Sequence, residues 1–444
     1  MGRLALVCAV VGGCSFQPPP GSNTPIDTVD ALVIPPGPCQ MAPARTCSDA
    51  ETLRECKVAG DDPVDTTCPL GCSNAGTAHC QTIVPAGGGA SGADMLVDAQ
   101  LMPTTLDGSR TIIDGDTGAI SMGTFTRPAG TGPMNGVDFH ITNGIAVFRF
   151  GSLTIDGPVT VRGTHAIALV ADGNVTVNAL IDARGGCTAN NDPAPGPGGF
   201  AGGAGKAIGM GPGGGAPGTG GPGDCSGGAG GGHGDTGGQG GKSGGTAGNA
   251  NTAGGVGYDD VAIVLLQGGS GGGGGGGGAK ATTGGGGGGG LQLVSNNTLR
   301  IGDTGVINAG GCGGTSDGDG GSGGGAGGTI LLEGAAVEVR GLLAVNGGAG
   351  GSSDAGANRS EPGDSSPGAA TAGNGGSNGA KGGNGGAAAA TVGGAGGDAT
   401  QKGAGGGGAV GFIRLNGRAV TTSQGTLSPS LGSPSSTQGT PATQ

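Results

Sequence analysis

Aromatic side chains are almost missing. The 444 residues include no Trp, one Tyr (Tyr258) and seven Phe, so neither a large aromatic core nor a row of sugar-stacking platforms is available. Long apolar runs are missing too, and the run from Leu4 to Val11 is too short to span a bilayer as a permanent helix. Lys and Arg number 19 against 31 acids, for a net charge of −12, and the cations are scattered. That excludes the basic footprint of a nucleic-acid binder; the acidity reads as solubility or weak cation attraction. What is abundant is glycine, 119 residues, several times the usage of ordinary globular chains. A conventional globular enzyme throughout is therefore excluded, and any core must be built from Val, Ile, Leu and Ala.

The N-terminus, MGRLALVCAVVGGC, places one Arg before an apolar run and small residues, the grammar of an export signal over residues 1–13. Its end, Val11-Gly12-Gly13-Cys14, resembles the lipobox of bacterial lipoproteins, which implies that Cys14 carries the lipid and anchors the chain to a membrane. Ser15 in the next position resembles lipoproteins sent to the outer membrane. Residues 14–38, Pro-rich from Pro18 to Pro38, then read as a tether.

Cys39, Cys47, Cys56, Cys68, Cys72 and Cys80 crowd a segment too small for a stable apolar core, so residues 39–80 are expected to be a disulfide-stapled module. Fifteen pairings are open. A metal site built from Cys68, Cys72, His79 and Cys80 is the competing reading, and the gaps lack zinc-finger spacing. For Cys187, Cys225 and Cys312 the simplest arithmetic is one further pair and one leftover thiol.

From about Leu96 the chain becomes short β-branched segments punctuated by Gly, Asn and Asp. Four segments resemble one another: IALVADGNVTVNALIDARGG from Ile167, LQLVSNNTLRIGDTGVINAGG from Leu291, ILLEGAAVEVRGLLAVNGG from Ile330 and FIRLNGRAVTTSQGTLSPS from Phe412. Each has an apolar strand, a polar turn, a second strand and a third short one. Such a unit cannot bury its own apolar face, whereas stacking in register pairs every strand edge. The expectation is an all-β fold, a right-handed parallel β-helix over residues 96–430, with 431–444 a disordered tail. GVDFHITNG, IAVFRFGS and LTIDGPVTVRG, between Gly136 and Gly163, read as earlier rungs. A β-sandwich is the alternative, but its strands recur with short hairpins.

In the first three repeats the chain leaves after the same element, so the glycine-rich insertions, about 187–258, 268–290, 312–328 and 347–408, should project side by side. DDVAIVLLQ, from Asp259, reads as a strand between the first two. The insertions have two readings. Flexible linker follows from the entropy glycine loses on ordering. The other starts from GGHGDTGGQGGK, Gly231 to Lys242, with Gly first in four successive triplets. An extended left-handed helix has three residues per turn, and side-chain-free faces at that period let such polyglycine-II helices pack. The regular parts favour packing; the homopolymers 271–278 and 284–290 carry no period to read. Collagen is excluded by broken triplets and scarce Pro.

Glycine richness also creates chance motifs. Thr236 to Ser243 resembles a phosphate loop with Thr for its first Gly, Gly268 to Gly272 a nucleophile elbow, and Gly223 to Gly228 a serine-protease signature with an insertion. None has the strand–turn–helix setting its chemistry needs. His79, His140, His165 and His233 lack an evident partner and read as structural. Asp317 and Asp319 are spaced as in calcium loops but lack the later Glu, so two turn carboxylates are the favoured reading over a weak calcium site. No catalytic residue and no cofactor is assigned.

VGGC, the six-Cys segment, the four repeats and GGAVGFIRLNG together resemble a group of glycine-rich, PE-PGRS-like surface lipoproteins of myxobacteria, over most of the chain. The resemblance implies an envelope location and a β-helix with glycine-rich insertions, and brings no activity with it. The expected function is thus a non-enzymatic cell-surface role in structure, adhesion or matrix contact, with polysaccharide or other surface proteins as partners. The alternative is a polysaccharide lyase or hydrolase, for which Asp156, Asp172 and Asp182 with Arg149, Arg162 and Arg184 are the nearest acid and cation set. Ice binding is a weaker alternative.

Overall fold

The computed structural model describes residues 39–122, 125–187, 194–244, 249–278, 282–316, 319–354 and 360–444. Cys14, the signal segment and the tether lie outside the described residues. The described residues divide into two compact units, 39–44 with 55–64, and 45–54 with those from 65 to 444. In the first, Cys39 is bonded to Cys56. The six cysteines of residues 39–80 pair among themselves, the other two bonds being Cys47–Cys72 and Cys68–Cys80.

The described residues of the second unit are all-β apart from one 3-10 turn, Gly92–Met95. Strands Ile145–Phe150, Ala166–Ala171, Gly290–Ile301, Thr329–Val339 and Phe412–Thr421 pair in parallel within a ten-stranded sheet. The register sets Phe148, Leu169, Leu293, Leu332 and Leu415 in one column, all fully buried. An eight-stranded sheet carries the third strand of each unit, with Val159, Ile181, Ile307, Leu343 and Leu427 in a matching column. Both columns belong to one aliphatic core. Its cause is the period of two within each strand: alternate side chains face inward, and a one-residue slip would turn every one of them out.

One end of this arrangement departs from expectation. GVDFHITNG is not a parallel rung: Asp138–Thr142 pairs antiparallel with Ile145–Phe150. Asn143 and Gly144 both have positive φ, 52° and 76°, the two-residue turn that Asn-Gly favours. Beside it the buried Arg127 guanidinium donates to the carbonyls of Val137, Gly118, Pro128, Gly130 and Gly132, so a desolvated cation is satisfied by backbone. At the other end, residues 431–444 are not a disordered tail. Ser436–Gly439 pairs in parallel with Phe412–Thr421, and Ala442–Thr443 pairs with Ile83–Val84.

Residues 83–95 lie across the outer face of the large sheet, where Ile83 and Met95 join Val147, Ala168 and Leu331 in a second apolar cluster. Asp259 to Gln267 is not a strand; it turns, and sends Ile263 and Leu266 into the same cluster. Glu333 is buried beneath this strap, accepting from Gln292 Nε2 at 2.6 Å, Asn416 Nδ2 at 3.1 Å and the Ala86 amide at 3.1 Å. Its position is not marked by any pattern in the chain.

Between the third strand of one unit and the first of the next, the chain leaves at residues 183–289, 309–328 and 345–411, always at the same corner. The Cys187–Cys312 disulfide joins the starts of two of these excursions. The runs they contain are ordered by each other. Gly321, Gly324 and Gly327 donate to Gly403, Gly406 and Ala409; Gly323 and Ala326 donate to Gly273 and Ser270; Gly325 and Gly328 donate to Cys312 and Ala309. The same run accepts from Gly285 and Gly288, from Gly348 and Gly351, and from Gly228 and Gly231. Six runs surround it, and donor direction repeats every third residue. The homopolymers take part as fully as the regular triplets: Gly272 and Gly285 belong to the same network.

A methyl group added at Gly323, Gly324 or Gly325 would collide with the carbonyl oxygens of Ala229, Gly348 or Gly286 respectively. Each of Gly323→Ala, Gly324→Ala and Gly325→Ala should therefore cost about 1–3 kcal/mol, read as a lowered unfolding midpoint, while Gln239→Ala on the exposed margin stays within about 0.5 kcal/mol. A second expectation concerns Glu333. Burial raises its pKa above the ordinary 4.5 against the opposing donors, so the native state holds the proton more tightly than the unfolded chain. That contribution is complete below pH 4.5 and is lost as pH rises through the folded value. The stability of Glu333→Gln relative to the parent, followed by denaturant titration, should rise from pH 4.5 toward neutrality.

Candidate functional site

The acids and cations singled out for polysaccharide cleavage do not converge. Asp182 is held by Arg184 at 2.9 Å, Asp156 accepts from Asn178 Nδ2 at 2.8 Å, and Asp172 accepts from the Asp98 amide at 3.2 Å, with burial pushing its pKa up. Arg149 donates to the Asp94 and Leu96 carbonyls, and Arg162 lies 3.7 Å from Asp114. Within the set, Asp182 pairs with Arg184 and Asp172 feels the charge of Arg149, while the buried Asp172 Oδ1 has no hydrogen-bond partner among the described residues.

Three of the four histidines have carboxylate neighbours that sequence distance concealed. His140 Nε2 lies 3.6 Å from Asp94, and His165 Nδ1 lies 2.7 Å from Asp116. Burial would raise the Asp116 pKa, but donors from Thr164 and His165 outweigh it and hold the carboxylate below its ordinary range. His233 is fully buried between Tyr258 and the edge of Phe412; its Nδ1 donates to the Gly327 carbonyl at 2.7 Å, and Nε2 lies 3.3 Å from Asp259. Burial also pushes the Tyr258 phenol up, and its hydroxyl donates to the Gly268 carbonyl. His79 Nδ1 donates to Thr77 O at 2.8 Å.

The chance motifs are absorbed by the glycine network. Ser226 and Ser270 are buried and accept from the amides of Thr219 and Gly213. Asp319 faces Lys402 at 3.6 Å and accepts from the Gly278 amide; Asp317 lies outside the described residues. No group of three or more metal-ligating side chains occurs among the described residues.

The most regular surface is the outer margin of the glycine runs. In Thr236 to Ser243, Gly237 and Gly240 donate to Gly255 and Thr252, and Gly238 and Gly241 donate to Gly407 and Ala404. The remaining third of the run, Thr236, Gln239 and Lys242, points out and is exposed. The adjoining run repeats the rule: Gly393, Gly396 and Ala399 donate to the carbonyls of Thr236, Gln239 and Lys242, and Val392, Ala395 and Asp398 are exposed. Side chains therefore stand out at every third residue, roughly 9 Å apart at the 3.1 Å rise of such a chain. An open groove of about 460 Å³ follows these rows between Gln239, Ala253, Val392 and Ala395. This is a surface for repeated non-covalent contact. The signal for it was the run of four triplets GGHGDTGGQGGK, which also marks where side chains are allowed.

No protein-family model, curated protein or solved structure matches the chain.

Cys225 is the one free cysteine of the described residues, and burial pushes its thiol up to about 11. Alkylation at mildly alkaline pH followed by peptide mapping should leave Cys225 untouched in the native protein and modify it fully in concentrated guanidinium.

Proposed function

We propose that this chain is an exported, lipid-anchored surface protein whose role is structural or adhesive rather than catalytic. In this reading the stacked three-strand units are a parallel β-helix, and the glycine runs are polyglycine-II helices packed into a slab fused to its side. The observation that carries the reading is the three-direction hydrogen-bonding of the glycine runs, which turns the largest excursions of the chain into a rigid surface with an outward side chain at every third position. Cys14 in Val-Gly-Gly-Cys supplies the anchor, residues 15–38 the tether, and the disulfides suit an oxidising location. The resemblance to glycine-rich surface lipoproteins agrees with each of these features. Extracellular polysaccharide or a neighbouring surface protein is the partner a flat, periodic face of this kind would hold.

Two measurements test it together. The parent chain should fractionate with the membranes of a bacterial host and Cys14→Ala should not. The purified, disulfide-intact protein should be retained on cell-surface polysaccharides without releasing new sugar ends. New ends that vanish in Asp156→Asn or Asp182→Asn would establish the polysaccharide-cleaving alternative instead.

A further inference from the structure

A second groove, away from the glycine margin, lies where the long strands of the large sheet bend. Here Gly290–Ile301 carries one extra residue: Ser295 pairs with Gly334 and Thr298 with Ala336, so Asn296 and Asn297 stand against Ala335 alone. The next unit keeps the shorter count, pairing Gly334 with Gly417 and Ala336 with Ala419. The surface therefore steps inward from Asn297 and Thr298 to a floor of Ala335, Ala336 and Ala419, leaving an open groove of about 540 Å³. Its far wall is Arg418, which donates to Glu51 at 3.2 Å and to the Pro69 carbonyl at 3.0 Å.

The polar groups at the groove suit one class of ligand. Asn174 accepts from the Thr298 amide through Oδ1, which leaves its Nδ2 open, and neither the Asn297 side chain nor the Thr298 hydroxyl has a partner among the described residues. These are neutral donors and acceptors: Asn297 and Thr298 on one strand, and Asn174 in the turn before Val175–Val177, the strand that pairs with it. Ala336 is paired on both sides, with Thr298 and with Ala419, so no peptide adds as a strand at the centre of the floor. Arg418 is balanced by Glu51, so a phosphate or other polyanion finds no net positive charge. Methyl groups below and paired neutral and charge-balanced hydrogen-bonding groups at the rim match the apolar face and equatorial hydroxyls of a sugar ring.

We infer that this groove binds a disaccharide-sized stretch of a neutral polysaccharide. The inference deepens the adhesive reading by naming what is held, and rests on that reading for its setting. It is tested on the purified full chain with disulfides intact, by calorimetric titration with cellohexaose, maltohexaose and mannohexaose, and with hexagalacturonate as the charged comparison. At least one neutral hexamer binds, and its affinity falls tenfold or more both in Asn297→Ala, which removes a hydrogen-bonding group, and in Ala419→Leu, which fills the floor while leaving every polar group in place. Arg110→Ala, on the exposed turn before Thr111–Asp114 and outside both grooves, leaves binding unchanged. Absence of binding by all three neutral hexamers, a preference for hexagalacturonate, or neutral binding untouched by both groove variants overturns the inference. Membrane fractionation of Cys14→Ala is read separately, so failure of the groove and failure of the surface-protein reading give different results.

Discussion

Everything specific to this molecule depends on one constraint, that a backbone carbonyl sits where a β-carbon would be. Around residues 320–328 the constraint holds on every side, because the run is enclosed by six others at hydrogen-bonding distance. The energetics explain why such runs come in a bundle. Ordering glycine costs roughly 0.5–1 kcal/mol more than ordering alanine. A net backbone hydrogen bond contributes about 0.5–1.5 kcal/mol. One glycine run with a single neighbour gains too little to order itself, whereas a run bonded in three directions makes every amide count.

The stacked strands supply the missing organisation. Their register is fixed by inward columns such as Phe148, Leu169, Leu293, Leu332 and Leu415, and that register also fixes where each excursion leaves and returns. Glycine runs are thus delivered side by side, with the Cys187–Cys312 disulfide tying two of their starting points. The proposed function rests on the same division: the aliphatic columns are hidden, and what the protein presents outward is a set of regular rows and, where a strand gains a residue at Asn296, a groove.

Much of this was legible in the amino-acid order because it is periodic. The four repeats, their common exit and the three-residue rule of Gly231 to Lys242 all express local patterns that the fold multiplies. What escaped is what depends on partners far away in the chain. The homopolymer runs hold no phase, so only their neighbours show which face each glycine turns to. Ser436–Gly439 is polar and short, yet it closes the ladder because the open edge of Phe412–Thr421 was waiting for it. Asp259 to Gln267 looks like a strand by composition but is bent by positive φ at Asp259 and Ile263. Asn143-Gly144 is a different failure, a plain hairpin signal overridden by the expectation of parallel rungs. Glu333 and its donors, and the aspartates beside His140, His165 and His233, are brought together only by folding, and nothing in the spacing of those residues announces them.

The most direct test of the account is amide hydrogen exchange in the native protein, resolved by peptide. Residues 320–328 and 403–411 should exchange as slowly as the strand Thr329–Val339, since their amides are bonded within the array. Exchange of those glycine runs on the timescale of an unstructured peptide, with the strand still protected, would contradict it and return the runs to the status of flexible linkers.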